Sequence, residues 1–219
     1  MAKLAWDQAG EKQYHLGVSK GVLYPQAKAR TYPKGVAWNG LSGVTASPDG
    51  AEPNDLYADN IKYASIRSAE NFGMTIKAYM YPEEWGPCDG SAEIAPGVRA
   101  GQQARTPFGF SWQSMIGNDT ANEDDDGYII HMVWGATAKP SEQDYETVNE
   151  NPDAMEFSWE CDTVPEVVDG YKPIAHMEIN SLKADPTKLK QLEDMLYGTE
   201  SAEPKLPTPK EVIDMFKAN

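Results

Sequence analysis

Hydrophobic and polar residues alternate with a period of two along much of this chain. In residues 72–81, Phe72, Met74, Ile76, Ala78 and Met80 fall on one side, and Thr75, Lys77, Tyr79 and Tyr81 on the other. Successive side chains of a strand point to opposite faces, so this pattern predicts a half-buried strand. Joined to the β-favouring run before it, it predicts an antiparallel hairpin over residues 60–81, turning at 69–71. Residues 155–163 alternate as cleanly: Met155, Phe157, Trp159 and Cys161 against Glu156, Ser158, Glu160 and Asp162. One face of that strand is core and the other strongly acidic.

Further strands are expected at 14–18, 22–24 and 36–45, the last broken by Asn39-Gly40, a pair that tolerates positive φ and signals a hairpin. Phe108, Phe110 and Trp112 open another hairpin, with an acidic tip near 116–127 and a return at 128–134; one more strand fits 174–180. Residues 47–59 and 82–107 are rich in Pro, Gly, Asp and Asn and read as long surface loops, the second with a helical turn near 83–85. Ser141 is placed to cap a short helix over 141–149.

Two helices close the chain. Asp185 caps the first, with Pro186 in its first turn, Leu189, Leu192 and Leu196 on one face and Gly198 as the stop. Thr208, Pro209 and Glu211 have capping-box spacing for the second, whose apolar residues are Val212, Ile213, Met215 and Phe216. The reading is one domain over 1–219: a β-rich part, 1–180, carrying loops 47–59 and 82–107, and a helical segment, 181–219. The fold class is mainly β, an antiparallel β-sandwich or open barrel with a flanking helix and a helical C-terminal end.

Composition changes this picture in two respects. The net charge of −15 disfavours a nucleic-acid grip, which needs Lys and Arg against phosphates. The acidity is also local: residues 119–169 hold 15 Asp and Glu against Lys139 alone. No apolar run reaches membrane-spanning length, and residues 1–16 lack the apolar core of a signal peptide, so a soluble chain is expected. Cys88 and Cys161 are too few for a disulfide scaffold and read as reduced thiols of a cytoplasmic setting, with a single bridge left open.

Candidate chemistry is sparse. Asn122, Asp124, Asp126, Gly127 and Ile129 match the first half of a calcium loop, but its twelfth position is Val133, which has no carboxylate to offer. His15, His131 and His176 show no ligand spacing, and no nucleophile elbow, phosphate loop or dinucleotide fingerprint is present. No cofactor, metal or enzymatic activity is expected.

Long phrases, GVAWNGLSGVTASPDGAEPNDLYADNIKY, YPEEWGPCDGSAEIAPGVRAGQQARTPFGFSW, YIIHMVWGATAKPSEQDYETVNENPDAMEFSWE and DPTKLKQLEDMLYGTESAEPKLPTPKEV, resemble the major tail (tail tube) protein of long-tailed bacteriophages and prophages of Gram-positive hosts. The resemblance implies a non-enzymatic virion subunit. It would form hexameric rings that stack into a tube, meet tape measure, terminator and distal tail proteins, and let DNA pass without specific binding. Its place would be the phage tail, after assembly in the host cytoplasm.

Within that expectation, Asn60, Lys62, Tyr63, Arg67, Thr75, Lys77 and Tyr79 are candidates for strands joining neighbouring subunits. Asp49, Glu52, Asp55, Tyr57, Arg99, Gln102 and Arg105 are candidates for loops that stack rings. Glu156, Glu160 and Asp162 are candidates for an acidic lumen, although alternation equally allows them an outward, solubilising face. Two other classes remain: another virion β-sandwich, such as a contractile-tail inner tube or a decoration protein, and a soluble acidic ligand-binding or enzymatic barrel.

Overall fold

The computed structural model describes residues 4–50, 52–119, 127–145, 147 and 154–217. The first strands are β1 (Gln13–Pro25), β2 (Val36–Trp38), β3 (Leu41–Ala46), β4 (Asp49–Gly50) and β5 (Pro53–Ala58). They are followed by β6 (Ile61–Arg67), β7 (Glu70–Asn71), β8 (Gly73–Ala78), β9 (Ala92–Ala95) and β10 (Val98–Ala100). The last are β11 (Phe108–Asn118), β12 (Gly127–Ala138), β13 (Phe157–Thr163) and β14 (His176–Asn180). The α-helices are α1 (Trp85–Asp89), α2 (Pro186–Tyr197) and α3 (Pro209–Lys217). The protein is mainly β, built on one large antiparallel sheet of order β2-β1-β11-β12-β13-β8-β3, with β14 also paired to β12.

The two edge strands of that sheet, β2 and β3, are separated in sequence by Asn39 and Gly40 alone. The sheet must therefore curl until its edges approach. It does not close, because β2 pairs β1 and β3 pairs β8, with no ladder between β2 and β3. The hairpin expected at Asn39-Gly40 is thus a corner between two strands that pair elsewhere. Gly40 supplies its positive φ of 74°. Burial decides the outcome: Trp38 turns into the curl, with ring centroids 4.8 Å from Trp85, 5.6 Å from Phe110 and 5.6 Å from Trp159.

Two cores share the sheet. Inside the curl, Leu23, Met74, Ile76, Phe108, Val133 and Cys161 pack around those aromatic rings. On the opposite face, Tyr24, Ile130, Met132 and Trp134 pack against Leu189, Leu192, Leu196 and Val212 of α2 and α3. Strands β11 and β12 are both buried along most of their length, and β12, GYIIHMVWGATA, reads as the near-continuous apolar run that cover on both faces requires, whereas β11 alternates Phe108, Phe110 and Trp112 with Gly109, Ser111 and Gln113. The helix ends follow the sequence signals: Asp185 accepts from the N–H groups of Thr187 and Lys188, both at 3.0 Å. Thr208 and Glu211 form a reciprocal capping box.

Several expectations are corrected. Residues 14–24 form not two strands but one, β1, with irregular register between Leu16 and Ser19 and between Ser19 and Val22. The strands at 60–81 do not pair with each other. Instead β3–β8, β4–β7 and β5–β6 are successive rungs of one long hairpin whose tip is Asp59-Asn60. Both tip residues take positive φ, 50° and 61°, the requirement of a tight two-residue hairpin turn. Glu70 and Asn71 run on as strand β7, and the loop expected at 47–59 is the outgoing arm of the same hairpin.

The loop 82–107 contains α1 and the two-stranded ribbon β9–β10. Met155 and Glu156 precede β13, and Met155 is exposed instead of buried. Residues 141–145 and 147 are not helical; the rest of the helix expected at 141–149 lies outside the described residues. Most of the 116–127 tip, including Asn122, Asp124 and Asp126, also lies outside them.

Cys88 and Cys161 both lie in the interior core as free thiols. Among the described residues no helix is long and apolar enough to cross a membrane.

Candidate functional site

Among the described residues the distal half of the long hairpin, β5–β6, pairs with no other strand. Leu56 lies opposite Ala64, Asn54 opposite Ile66 and, past a register shift, Ala58 opposite Ile61, which puts Leu56, Ile61 and Ile66 on one face; Tyr57, opposite Lys62, is on the other. Both faces therefore carry apolar side chains, and they remain open: Tyr57 is 71% exposed, Ile61 65% and Tyr63 75%. The ribbon is held by its own ladder and by the Lys62–Asp55 ion pair at 2.7 Å, which also holds the Asp55 carboxyl below its ordinary value. Asn60 forms the tip, and Lys62, Tyr63 and Arg67 are exposed on β6. Asp49 lies in β4 at the root, Glu52 is exposed just beyond it, and Asp55 and Tyr57 are on β5.

A second free ribbon is β9–β10, exposed along nearly its whole length, with Ile94 and Val98 uncovered. Helix α1 roots it by burying Trp85 and Cys88. Arg99 is on β10, packed near Gly86, and Gln102 follows with φ of 62°. Arg105 is turned inward instead: its guanidinium donates to the Ala138 carbonyl at 2.8 Å. There its charge partly offsets the upward push of burial on the Asp89 carboxyl. Arg105 is thus an anchor at the base of the loop.

Strands β8 and β13 pair with Thr75 opposite Glu160 and Lys77 opposite Ser158. Thr75, Lys77, Glu160 and Asp162 thereby share one polar face, while Met74, Ile76, Trp159 and Cys161 share the buried one. The acids are partly compensated: Asp162 pairs with Lys139 at 2.8 Å, and Glu156 lies 3.8 Å from Lys77. Asp162 first, with Glu160 and Asp49 behind it, raises the Lys139 ammonium above its ordinary value. Tyr79 lies just past β8, exposed, with its N–H bonded to the Gly40 carbonyl. The candidate acidic strand and part of the candidate subunit-joining set thus form a single surface, which alternation alone did not reveal.

One grouping escaped the sequence altogether. His131, His176 and Glu178 converge, although 45 residues separate the two histidines. The readable part of the signal was His176-x-Glu178, whose i, i+2 spacing puts both side chains on one face of a strand. His131 is added only by the β12–β14 ladder.

No protein-family model matches the chain, and no curated protein matches it.

Proposed function

We propose that this chain is the structural subunit of a bacteriophage tail tube, a major tail protein that assembles with copies of itself into hexameric rings stacked as a conduit for DNA. The observation that carries the reading is the β5–β6 ribbon, with apolar residues open on both faces and none of the described residues covering them. Monomeric proteins rarely leave such surface uncovered, and burying a large apolar side chain contributes about 1.5–3 kcal/mol. A second copy supplies both the apolar cover and strand edges to pair with. The free edges of β2 and β3 are the corresponding docking positions on the main sheet.

The long phrases resembling tail tube proteins support the same assignment. In it the curled sheet is an open barrel of the tail-tube type, and the polar face of β8 and β13 lines the passage. Carboxylates there repel phosphate, while Lys77 and Lys139 temper the repulsion, so DNA slides without being held. The ribbons β5–β6 and β9–β10 reach the rings above and below. Heterologous contacts repeated along an axis give an open filament, whose length is set by partners such as a tape measure and a terminator. The role is structural and non-enzymatic, and the location is the virion tail.

Negative-stain electron microscopy and sedimentation of the purified chain over a range of concentrations test the proposal. Six-fold rings or tubes are expected as concentration rises. A particle that stays monomeric throughout overturns it.

A further inference from the structure

Strands β12 and β14 pair His131 with Glu178 and Val133 with His176. Since Val133 belongs to the interior core, this face is the inside of the curl. His131, His176 and Glu178 lie near its open end, in a groove of about 400 Å³ also lined by Gly17, Val44, Trp112 and Ser114. Four rings form a column of nearly parallel planes. Trp112 stacks on His131 at 4.7 Å and 5°, His131 faces His176 at 5.7 Å and 4°, and His176 stacks on Phe72 at 4.4 Å and 14°. Phe72 is in turn fixed by its carbonyl, which accepts from the Thr163 hydroxyl. Both imidazoles are therefore clamped in plane, leaving their nitrogen edges as the only reactive parts.

Those edges are incompletely satisfied. His131 Nε2 lies 2.9 Å from Ser114 Oγ. His131 Nδ1 is 3.3 Å from Glu178 Oε1, and His176 Nε2 is 3.9 Å from the same oxygen. Both nitrogens are closed off from water with no hydrogen-bond partner. A buried polar atom left this way is destabilising. A proton on each ring would answer the carboxylate, but burial acts against it. Burial takes His131 down to about 4, the Glu178 charge opposing and His176 and His15 reinforcing; burial likewise lowers His176 against Glu178. Two ring nitrogens are thus turned to one carboxylate oxygen.

We propose that His131 Nδ1, His176 Nε2 and the Glu178 carboxylate bind a divalent transition-metal ion of the zinc type. Their ligand atoms all lie within 4.8 Å of one another. A tetrahedral ion with bonds of about 2.0–2.1 Å needs them about 3.3 Å apart, a separation the first pair already has and small side-chain movements supply for the rest. Ser114 Oγ, 2.9 Å from His131 Nε2, is able to accept from an Nε2–H and so to hold the ring in the tautomer whose Nδ1 carries the lone pair, the role of an outer partner for a ligating imidazole. Two imidazoles and one carboxylate favour Zn²⁺, Ni²⁺ or Cu²⁺ over Mg²⁺ and Ca²⁺. Three protein ligands leave a fourth position facing the groove, where water or a small anion completes the ion. The site is independent of the assembly reading.

Calorimetric titration of the chelator-stripped full chain with ZnCl₂ at pH 7.5, with Co²⁺ absorption as a second readout, tests the site. Expected are one equivalent of Zn²⁺ bound, a raised melting temperature, intense Co²⁺ bands of four-coordinate type, and no heat with Mg²⁺ or Ca²⁺. Glu178 is exposed, so Glu178→Ala keeps the fold and should weaken binding by at least about a hundredfold, and His176→Asn should do the same. Ser114→Ala should weaken it by about 10–100-fold. No uptake by the parent chain overturns the proposal. So does uptake unchanged in Glu178→Ala and His176→Asn, each confirmed folded by circular dichroism.

Discussion

Tyr24 joins the main sheet to the helical layer through one buried hydroxyl: it donates to the Leu196 carbonyl at 2.8 Å and lies 3.1 Å from Ser111 Oγ, from which it accepts. Leu196 is in the last turn of α2, where carbonyls lack intrahelical partners. Burial pushes the Tyr24 phenol well above its ordinary value, so it stays a donor at any physiological pH. Tyr24→Phe preserves the ring packing and orphans that carbonyl. A loss of about 1–3 kcal/mol is expected, read as a lower urea midpoint at unchanged slope.

Adjacent residues of β8 should respond oppositely. Ile76 is fully buried and Lys77 exposed. Ile76→Asp puts an uncompensated charge among Trp38, Trp159 and Val44 and should abolish cooperative folding. Lys77→Glu should shift stability by less than about 1 kcal/mol, because its 3.8 Å contact to Glu156 is a surface pair. Thermal melts of the two variants decide. Comparable melts would mean that the face assignment is wrong.

At Gly135 the edge of β12 passes from β14 to β13, its N–H bonded to Tyr32 Oη and its carbonyl to the Val164 N–H. It has φ of 62°, and a Cβ there would sit 2.4 Å from the Val164 carbonyl oxygen. Gly135→Ala therefore combines left-handed strain with a backbone clash. A loss of at least about 2 kcal/mol is expected, or roughly 4–8 °C in melting temperature at this chain length.

Burial pushes the Cys88 thiol up to about 12 and raises Cys161 as well. Neither should react with a thiol reagent at pH 8 until the chain unfolds. The sign for stability follows from proton counts. Above an unfolded thiol value of about 8.5, the unfolded chain has released protons that the native state retains, so stability falls as pH rises from there toward 12. Each thiol contributes a slope of up to about 1.4 kcal/mol per pH unit. Cys88→Ala should flatten the decline measured by urea titration between pH 9 and 10 relative to the parent, which carries the same tyrosines.

On the β5–β6 ribbon, Ile61→Asp with Tyr63→Asp should leave the melting temperature nearly unchanged, since both side chains are exposed. The same pair should stop ring or tube formation in sedimentation. Loss of the fold, or assembly as in the parent, would remove the ribbon from the proposed contact.

The sequence by itself determined what is local. Asp185 and Thr208 fixed the helix starts, because capping needs only side chains within three residues of the backbone they bond. Alternation set the faces of β8 and β13, because a strand's period of two is a property of its own backbone. Pairing was a different matter. The same alternation over 60–81 fits a hairpin turning at 69–71 or at Asp59-Asn60. The choice belonged to β13 and β3, which take both edges of β8 and leave β6 only β5. Asn39-Gly40 likewise has the chemistry of a hairpin turn, yet burial of Trp38 among Trp85, Phe110 and Trp159 made it a corner. The meeting of His131, His176 and Glu178 was beyond sequence reasoning for the same reason. It is a register between strands far apart in the chain, set by the packing of the whole sheet and not by any residue's neighbours.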